Sequence, residues 1–281
     1  MSIQWFPGHM AKAKQLLAEC IPLVDVVIEL RDARIPLSSS NPLLAQMLGG
    51  KPRVIALTKP DLADERRTSA FAARFEREGV VCVAVNARDN RGTRELLKIA
   101  KQTAERIIPR DRANGRALRT PRLMVAGIPN VGKSSLINAL CQRKAARTGA
   151  LPGLTRAKQW IRLASGLEIL DTPGLLWPRL DDPDIAFRLA VTGAIGEGGF
   201  DRFELAEHLV QFLVREYPAV LSERYGIDVA SETDATCILT AIGERRGCLA
   251  LGGQVDLARV ADLVLAEFRL GKMGRFTLDK E

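Results

Sequence analysis

The segment from Leu123 to Cys141 constrains the fold more strongly than any other part of the sequence. It joins a short apolar run (LMVA) to a glycine-containing turn (GIPNVGKS) and then to a run with helical periodicity (KSSLINAL). The turn fits the pattern GxxxxGK[ST] from Gly127 to Ser134, and this pattern is informative when it connects a strand to the start of a helix, as it does here. We therefore expect an α/β fold that contains βαβ units and a parallel sheet.

The alternation of strand and helix signals extends over the whole first part of the chain. Apolar, β-branched runs indicate strands that are buried on both faces, at residues 24–30, 54–58, 80–85, 123–126, 158–163 and 167–170. Helical patterns lie between them, at residues 10–19, 42–48, 64–78, 93–106 and 133–141. Strands that alternate with helices predict a doubly wound, mostly parallel sheet.

The pattern changes after Trp177 and Pro178. No strand signal of comparable strength follows, and amphipathic helices are indicated, at residues 184–195, 203–215, 234–244 and 257–268. We therefore expect a sheet-containing domain over residues 1–177 and a smaller all-α domain over residues 178–281.

The composition argues against several classes of protein. No apolar run approaches the roughly 20 residues that span a membrane, and the N-terminus (MSIQWFPGHMAKAKQ) has no secretory apolar region. The five cysteines are scattered and odd in number, which argues against a disulfide or zinc framework, and there are only two histidines. These features predict a cytoplasmic protein that uses no membrane.

The net charge of +8 is distributed unevenly along the chain. Residues 1–176 contain 29 Lys and Arg against 15 Asp and Glu, a balance of +14, whereas residues 177–281 contain 12 against 18, a balance of −6. Basic residues are concentrated at 101–122 and 142–167. Such fields attract polyanions such as RNA, although a solvated basic face without a partner is the alternative.

The turn at Gly127–Ser134 has the chemistry of a phosphate-binding loop. Its glycines allow backbone N–H groups to point at phosphates, and the following helix N-terminus favours negative charge. Lys133 can neutralise the β- and γ-phosphates and assist catalysis, and the Ser134 hydroxyl can bind Mg²⁺. The residues expected to contact the nucleotide here are Asn130, Val131, Gly132, Lys133, Ser134 and Ser135.

Two further segments complete a phosphate and metal site. An apolar strand ends in Asp171-Thr172-Pro173-Gly174, where Asp171 can hold Mg²⁺ and the Gly174 N–H can reach the γ-phosphate. Between this segment and the glycine-containing turn lies Thr155, in the sequence PGLT, which can contact the metal and the γ-phosphate when a triphosphate is bound.

The segment Thr58-Lys59-Pro60-Asp61 is suited to recognising a guanine base. The Asp61 carboxylate can accept hydrogen bonds from guanine N1–H and the 2-amino group, which adenine does not offer. The Lys59 stem can lie along the base, and the Thr58 hydroxyl can tie this loop to the phosphate loop. A later strand ends in Asn86-Ala87, where a backbone N–H can meet guanine O6.

The base-recognition segment precedes the phosphate loop, the reverse of the usual order in GTP-binding chains. Loops at the carboxyl ends of parallel strands converge whatever their order in sequence, and joined termini are tolerated, so the order predicts a circularly permuted GTPase domain. The chain resembles the circularly permuted ribosome-assembly GTPases of the bacterial YlqF/RbgA type. The motifs that carry the resemblance are QWFPGHMAKA, DARIP, TKPD, GIPNVGKSSLINAL, PGLT, DTPGLLWP and LGKMGRFTLD.

This resemblance implies a GTPase that binds a large-subunit precursor and rRNA and acts late in its assembly, with the helical domain in contact with RNA. Leu175 and Leu176 cannot orient a water molecule, so we expect slow hydrolysis that the particle activates. The resemblance also implies a catalytic role for His9 and K⁺ coordination by Asn130; the alternatives are a packed or exposed histidine and a loop-stabilising asparagine. Alternative functions are a GTP-dependent RNA-binding placeholder and a tRNA-related GTPase. We expect a monomer in solution.

Overall fold

A computed structural model describes most of the chain. It covers residues 3–4, 7–108, 119–141, 159–172, 179–180, 182–195, 200–229 and 234–280, with backbone only for 3–4, 7–13, 159 and 179–180. Two compact units are present: one comprises Met1–Pro183 together with Phe276–Glu281, and the other comprises Asp184–Arg275.

The first unit is built on a six-stranded sheet. Its strands are β2 (Val26–Asp32), β3 (Arg53–Thr58), β4 (Cys82–Val85), β5 (Arg122–Gly127), β6 (Gln159–Arg162) and β7 (Glu168–Asp171). Their order is β4-β3-β2-β5-β7-β6, and every pair is parallel except β6 with β7. The mostly parallel sheet predicted from the sequence is confirmed. The strand β6 is antiparallel because only a short turn, with Gly166 at φ 76°, joins it to β7, and a parallel crossover needs a dozen or more residues.

Helices cover the sheet: α1 (Pro7–Cys20), α2 (Pro42–Leu48), α3 (Glu65–Arg77), α4 (Thr93–Glu105) and α5 (Lys133–Cys141). One apolar cluster packs residues of α1 and α2, including Leu17 and Leu44, against Met124 of the sheet. Another packs Phe71 and Phe75 of α3 against Leu57. All seven residues of β2 are buried, as expected for a central strand of a doubly wound sheet.

A small second sheet in this unit joins two distant parts of the chain. Its strands, β1 (Ile3–Gln4) and β8 (Arg179–Leu180), pair in antiparallel fashion, with Ile3 opposite Leu180. Two-residue strands carry no periodic signal, so sequence patterns do not predict them.

The second unit consists of helices in the residues that the structure describes. They are α6 (Pro183–Val191), α7 (Arg202–Glu216), α8 (Ala219–Tyr225), α9 (Ala235–Arg246) and α10 (Leu257–Arg269). Buried apolar residues such as Leu209, Ile238 and Val264 form its interior. Inside it, Glu267 accepts hydrogen bonds from Arg224 at 2.6 Å and 2.9 Å and from the Tyr225 hydroxyl at 3.0 Å. The seven-residue helix α8 was not predicted.

The observed units differ from the predicted division at both ends of the helical domain. Residues 178–183 group with the sheet unit, where β8 pairs with β1. Residues 276–281 also group with the sheet unit, because Phe276 and Leu278 donate backbone hydrogen bonds to Leu62 and Arg34 at 3.0 Å and 2.8 Å.

Two of the composition arguments can be compared with the structure. No disulfide joins any of the five cysteines, all of which lie in the described part of the chain. Among the described helices, none has both the length and the apolar character required to cross a bilayer.

Candidate functional site

Those predicted site segments that the structure describes converge at one edge of the sheet, at the carboxyl ends of the parallel strands. In the ladder, Asp32 of β2 lies opposite Thr58 of β3, and Thr58 lies opposite Val85 of β4. On the other side of β2, Gly127 ends β5 opposite Leu30. Ligands of open α/β sheets bind at this edge, so the order of the motifs in the chain does not prevent them from forming one site.

The phosphate-loop segment has the backbone conformation that its residues favour. A Cβ atom on Gly127 would lie 2.8 Å from the carbonyl oxygen of Leu30, so a larger residue would push the loop away from β2. Asn130 and Gly132 both have left-handed φ angles, of 54° and 106°, which glycine and asparagine tolerate best. The helix α5 begins immediately afterwards at Lys133, and its first N–H groups have no partner within the helix.

Lys133 lies inside this loop. Its Nζ donates hydrogen bonds to the carbonyl oxygens of Gly127 at 3.1 Å and Ile128 at 2.6 Å, and only 8% of the residue is exposed. Burial lowers the pKa of Lys133 to about 8; the Asp171 carboxylate opposes this shift, and the nearby Lys59 adds to it. An ammonium group carries three donors, so these two bonds leave one more for an anion.

Because the pKa of Lys133 is depressed, we expect the protein to take up protons when it binds a nucleoside diphosphate. Phosphate charge favours the ammonium form, so above pH 8 we expect GDP affinity to fall by up to about tenfold per pH unit. Proton uptake is measured by calorimetry in buffers of different ionisation enthalpy. GMP, which lacks the β-phosphate, is the matched control ligand and should take up fewer protons; equal uptake for the two ligands would contradict the assignment.

The depressed pKa of Lys133 also makes the stability of the free protein depend on pH, in the direction opposite to that of nucleotide affinity. The unfolded chain binds more protons than the folded chain between the folded pKa of about 8 and the ordinary lysine value of 10.5. Stability therefore rises with pH across this window, while nucleotide affinity falls.

The base-recognition segment is hydrogen-bonded to the phosphate loop at two positions. The Thr58 hydroxyl donates to the carbonyl oxygen of Val131 at 2.7 Å, which is the link between the loops that the sequence predicts. Lys59, with a left-handed φ of 56°, donates from Nζ to the carbonyl oxygen of Asn130 at 2.8 Å. The two loops are thus fixed to each other by side chains of one and backbone groups of the other.

Thr58→Val tests this link. The Thr58 hydroxyl is buried, and its single proton is shared between the carbonyl oxygen of Val131 and that of Arg31, which lies 3.1 Å away. Valine keeps the shape but leaves both contacts unmade, so we expect the free energy of unfolding to fall by about 1–2 kcal/mol and nucleotide affinity to fall with it. Chemical denaturation measures the first quantity. Thr103→Val is the control, because the Thr103 hydroxyl bonds only within its own helix, to Ile99, at 2.9 Å; an equal loss in both variants would contradict the prediction.

Asp61 lies beside the turn that follows β4. Its carboxylate is 3.7 Å from an Arg88 guanidinium nitrogen, and the two side chains are 23% and 73% exposed. The Asn86 side chain accepts a hydrogen bond from the Arg88 backbone N–H at 2.9 Å and so shapes the turn that contains the half-buried Ala87. The structure therefore brings together the two segments that the sequence assigns to the base.

Two residues that the sequence analysis did not assign to the site support Lys59. The Asp32 carboxylate, buried at the end of β2, accepts hydrogen bonds from Lys59 Nζ at 2.8 Å and from the Arg34 side chain at 2.9 Å and 2.8 Å. Burial alone would raise the pKa of Asp32, but the two adjacent cations hold it well below its usual range. The available signal was an aspartate two residues after the predicted strand 24–30, in the motif DARIP.

The predicted metal ligands lie on neighbouring elements. Asp171 ends β7, is 2% exposed, and faces Val125 of β5 in the ladder. The next residue, Thr172, donates its hydroxyl to the carbonyl oxygen of Val125 at 2.7 Å, which anchors this strand end. Ser134 is half-buried in the first turn of α5, and Ser135 beside it is exposed. A carboxylate and a hydroxyl are hard oxygen donors of the kind that Mg²⁺ binds.

Three predicted site residues cannot be placed in this geometry. Thr155 and Gly174 lie outside the described residues, and His9 lies in α1, where only the backbone is described.

The chain is similar to known proteins over its whole length. Residues 122–220 match a family model described as 50S ribosome-binding GTPase. The chain is 44% identical over 280 residues to the ribosome biogenesis GTPase A of Priestia megaterium, an alignment that covers 99% of this chain and 97% of the relative.

Two solved structures share its architecture. One is the GDP-bound structure of TM YlqF, with a TM-score of 0.69 and 27% identity, covering 94% of this chain and 98% of that one. The other is GNP-bound YlqF from T. maritima, with a TM-score of 0.64 and 27% identity, covering 96% and 98%. The likeness predicted from the motifs is thus confirmed, and it extends over both units rather than over the glycine-containing turn alone.

Proposed function

The chain belongs to the ribosome biogenesis GTPase A family, and from this premise we propose that it binds a late precursor of the large ribosomal subunit and hydrolyses GTP there. The observation that carries the proposal is the pair of hydrogen bonds from Thr58 and Lys59 to the carbonyl oxygens of Val131 and Asn130. They hold a base-recognition loop and a phosphate loop as one unit, which is what binding of a single nucleotide requires.

Each part of the nucleotide has its own residues in this proposal. Asp61, Lys59 and the turn at Asn86-Ala87 take the guanine base. The phosphates lie on the backbone N–H groups of the loop and the start of α5, with the Lys133 ammonium against the β- and γ-phosphates. The residues assigned to the phosphates are Asn130, Val131, Gly132, Lys133, Ser134, Ser135, Thr155 and Gly174.

Mg²⁺ is the cofactor that the oxygen ligands fit. Ser134 and Asp171, with Thr155, would hold it, and a bound Mg²⁺ neutralises charge between the β- and γ-phosphates. The Asp171 carboxylate is buried and opposes the depression of the Lys133 pKa, so it lies close enough to the ammonium to interact with it, and a cation held by Asp171 would lie near the phosphates that Lys133 contacts.

Hydrolysis requires groups beyond those of the binding site. Leu175 and Leu176 follow Gly174, and neither can orient the attacking water, so we propose that turnover is slow until the ribosomal particle activates it. Asn130 is the residue proposed to bind K⁺, and His9 is proposed to act once it is seated on the particle. Replacing K⁺ by Na⁺ and replacing His9 by alanine test these two roles by their effects on particle-stimulated turnover.

The charge distribution indicates which surfaces meet rRNA. The sheet unit contains 31 Lys and Arg against 19 Asp and Glu, a balance of +12 that favours phosphate contacts, whereas residues 184–275 contain 10 against 14, a balance of −4 that limits the helical unit to local basic contacts. Arg245, Arg246, Lys272 and Arg275 are exposed residues of the helical unit that suit such contacts. A ribosomal partner implies action in the cytoplasm, and we propose that the free protein is a monomer.

Sedimentation of the full chain with ribosomal particles from a lysate tests this function. We expect it to migrate with large-subunit precursors in the presence of a non-hydrolysable GTP analogue and to leave them with GDP. Purified particles should raise its GTP turnover. Equal association in both nucleotide states would contradict the proposal, as would co-migration with tRNA instead of particles. Assembly that proceeds normally with a variant that binds GTP but does not hydrolyse it would favour the placeholder alternative.

A further inference from the structure

The C-terminal segment Phe276–Asp279 is bound to the loops of the nucleotide site. We propose that this segment is a positioning element for guanine recognition, which holds the Asp61 loop in its binding conformation; the inference rests on the proposed role of Asp61. All four residues are almost completely buried, with exposures of 0–2%, although they stand close to the end of the chain. In the sequence they form the end of the motif LGKMGRFTLD.

The first set of contacts is with the base-recognition loop itself. Asp61 lies in a short 3-10 turn over Pro60–Leu62. Directly after it, the carbonyl oxygen of Leu62 accepts a hydrogen bond from the Phe276 N–H at 3.0 Å, and the Asp64 N–H donates to the Thr277 hydroxyl at 3.3 Å. The segment is therefore hydrogen-bonded to the residues that directly follow Asp61.

A side chain of α3 adds a further hydrogen bond to the C-terminal segment. Arg67 donates to the carbonyl oxygen of Thr277 at 2.8 Å, and its own backbone N–H donates to the Asp64 side chain at 3.0 Å, which caps the helix. The start of α3, the base-recognition loop and the C-terminal segment are thus joined by hydrogen bonds to residues 62–67.

The second set of contacts is with the loop that follows β2. The Leu278 N–H donates to the carbonyl oxygen of Arg34 at 2.8 Å. The Asp279 carboxylate accepts hydrogen bonds from the backbone N–H groups of Leu37 and Ser38, at 2.6 Å and 2.9 Å, and from the Ser38 hydroxyl at 2.5 Å. Arg34 is also the residue that holds Asp32, and Asp32 in turn holds Lys59.

These two sets of contacts show why the segment positions the loops instead of merely covering them. Phe276 and Leu278, two residues apart, donate in turn to the loop after β3 and to the loop after β2. The C-terminal segment therefore contacts the chain directly after the base-recognition residues Thr58–Asp61, and it also contacts the neighbouring loop after β2. A buried carboxylate such as Asp279 needs several donors to offset its desolvation, and all of its donors named above belong to the loop that supports Lys59.

The path of the chain connects the helical unit to both ends of the proposed nucleotide site. The helical unit, Asp184–Arg275, is inserted between two parts of the sheet unit. It begins shortly after Asp171-Thr172-Pro173-Gly174 and ends directly before Phe276, so its two covalent connections lead to the phosphate end and to the base end of the proposed site. Coupling between sites is reciprocal, so a partner that displaces the C-terminal segment lowers guanine affinity by the same factor by which guanine lowers that partner's affinity.

Asp279→Asn in the full chain tests the proposal with little change in shape. We expect the affinity for GDP to fall about tenfold, from the loss of charged hydrogen bonds to the loop. The affinity for inosine diphosphate, which lacks the 2-amino group, should fall less, so discrimination between the two ligands decreases. Asp228→Asn, at an exposed position of the helical unit, is the matched control and should change neither affinity. Equal losses for both ligands, or no loss, would overturn the proposal.

Hydrogen exchange of the unmutated protein provides a second readout that does not depend on the folding of a variant. GDP should slow exchange of the N–H groups of Leu37, Ser38, Phe276 and Leu278, because the ligand and the C-terminal segment stabilise the same loop conformation. Unchanged exchange at these four positions upon saturation with GDP would also overturn it.

The variant Asp61→Asn distinguishes a failure of the positioning role from a failure of the proposed base recognition on which that role rests. If Asp61→Asn leaves the discrimination between GDP and inosine diphosphate intact, the proposed base-recognition role fails. If Asp61→Asn abolishes that discrimination while Asp279→Asn leaves it unchanged, only the positioning role of the C-terminal segment fails.

Discussion

Lys133→Met should lower kcat/KM for GTP by about a thousandfold, because it removes the buried cation of the phosphate loop that is proposed to contact the β- and γ-phosphates. In the structure, the Lys133 ammonium is fixed by the carbonyl oxygens of Gly127 and Ile128. Methionine keeps most of the aliphatic volume and loses the charge, so the comparison isolates the electrostatic contribution. Steady-state hydrolysis and GDP affinity measure the effect, and Lys98→Ala, at an exposed position on α4, is the control.

The same substitution should not destabilise the protein. A pKa lowered from 10.5 to about 8 means that burial of the charged Lys133 opposes folding by about 3 kcal/mol at neutral pH. Loss of its hydrogen bonds to two carbonyl oxygens offsets part of the gain, at about 1 kcal/mol each. We therefore expect the free energy of unfolding of Lys133→Met to stay the same or to rise. A variant that is both inactive and strongly destabilised would show that Lys133 serves the fold rather than the nucleotide.

The sheet could be predicted because its signals are local. The six predicted strands are all present, and their ends differ from the prediction by at most two residues. The run of apolar residues in β2 and the turn that leads from β5 into α5 are properties of consecutive residues, and consecutive residues are what a sequence pattern records. The link from Thr58 to Val131 was also predictable, because the carboxyl ends of parallel strands meet at one edge.

The supports of the site could not be predicted in the same way, because they depend on tertiary contacts. Asp32 and Arg34 belong to the motif DARIP, but nothing in that motif shows that Lys59 donates a hydrogen bond to Asp32. The C-terminal segment is a stronger example. Asp279 contacts Ser38 across 241 positions of the chain, and periodicity within a window carries no information about a contact at that separation.

The difference between the predicted and observed units has the same origin. The helical patterns after Pro178 correctly indicate that the strands of the six-stranded sheet have ended, and the division at 177 follows from them. The return of Phe276–Glu281 to the sheet unit has no periodic signal, because residues 276–280 form neither a helix nor a strand and the backbone N–H groups of Phe276 and Leu278 donate to loops.

Asp61→Asn should convert the site from guanine to xanthine nucleotides. The carboxylate is proposed to accept hydrogen bonds from guanine N1–H and the 2-amino group; an asparagine amide offers one acceptor and one donor, which match N1–H and the O2 of xanthine. We expect GTP affinity to fall on the order of a thousandfold and XTP affinity to rise by a comparable factor. Competition binding with GTP, XTP and ATP measures the change.

The neighbourhood of Asp61 makes this substitution a clean test of recognition. Its ion pair with Arg88 spans 3.7 Å, and the Arg88 side chain is 73% exposed, so loss of the pair should cost little stability. Asp262→Asn is the matched control, since Asp262 forms an exposed pair with Arg202 at 2.8 Å and should leave the nucleotide preference unchanged. If Asp61→Asn still prefers GTP to XTP, the base is bound elsewhere, and the meeting of the two loops through Thr58 and Lys59 then serves only to stabilise the edge of the sheet.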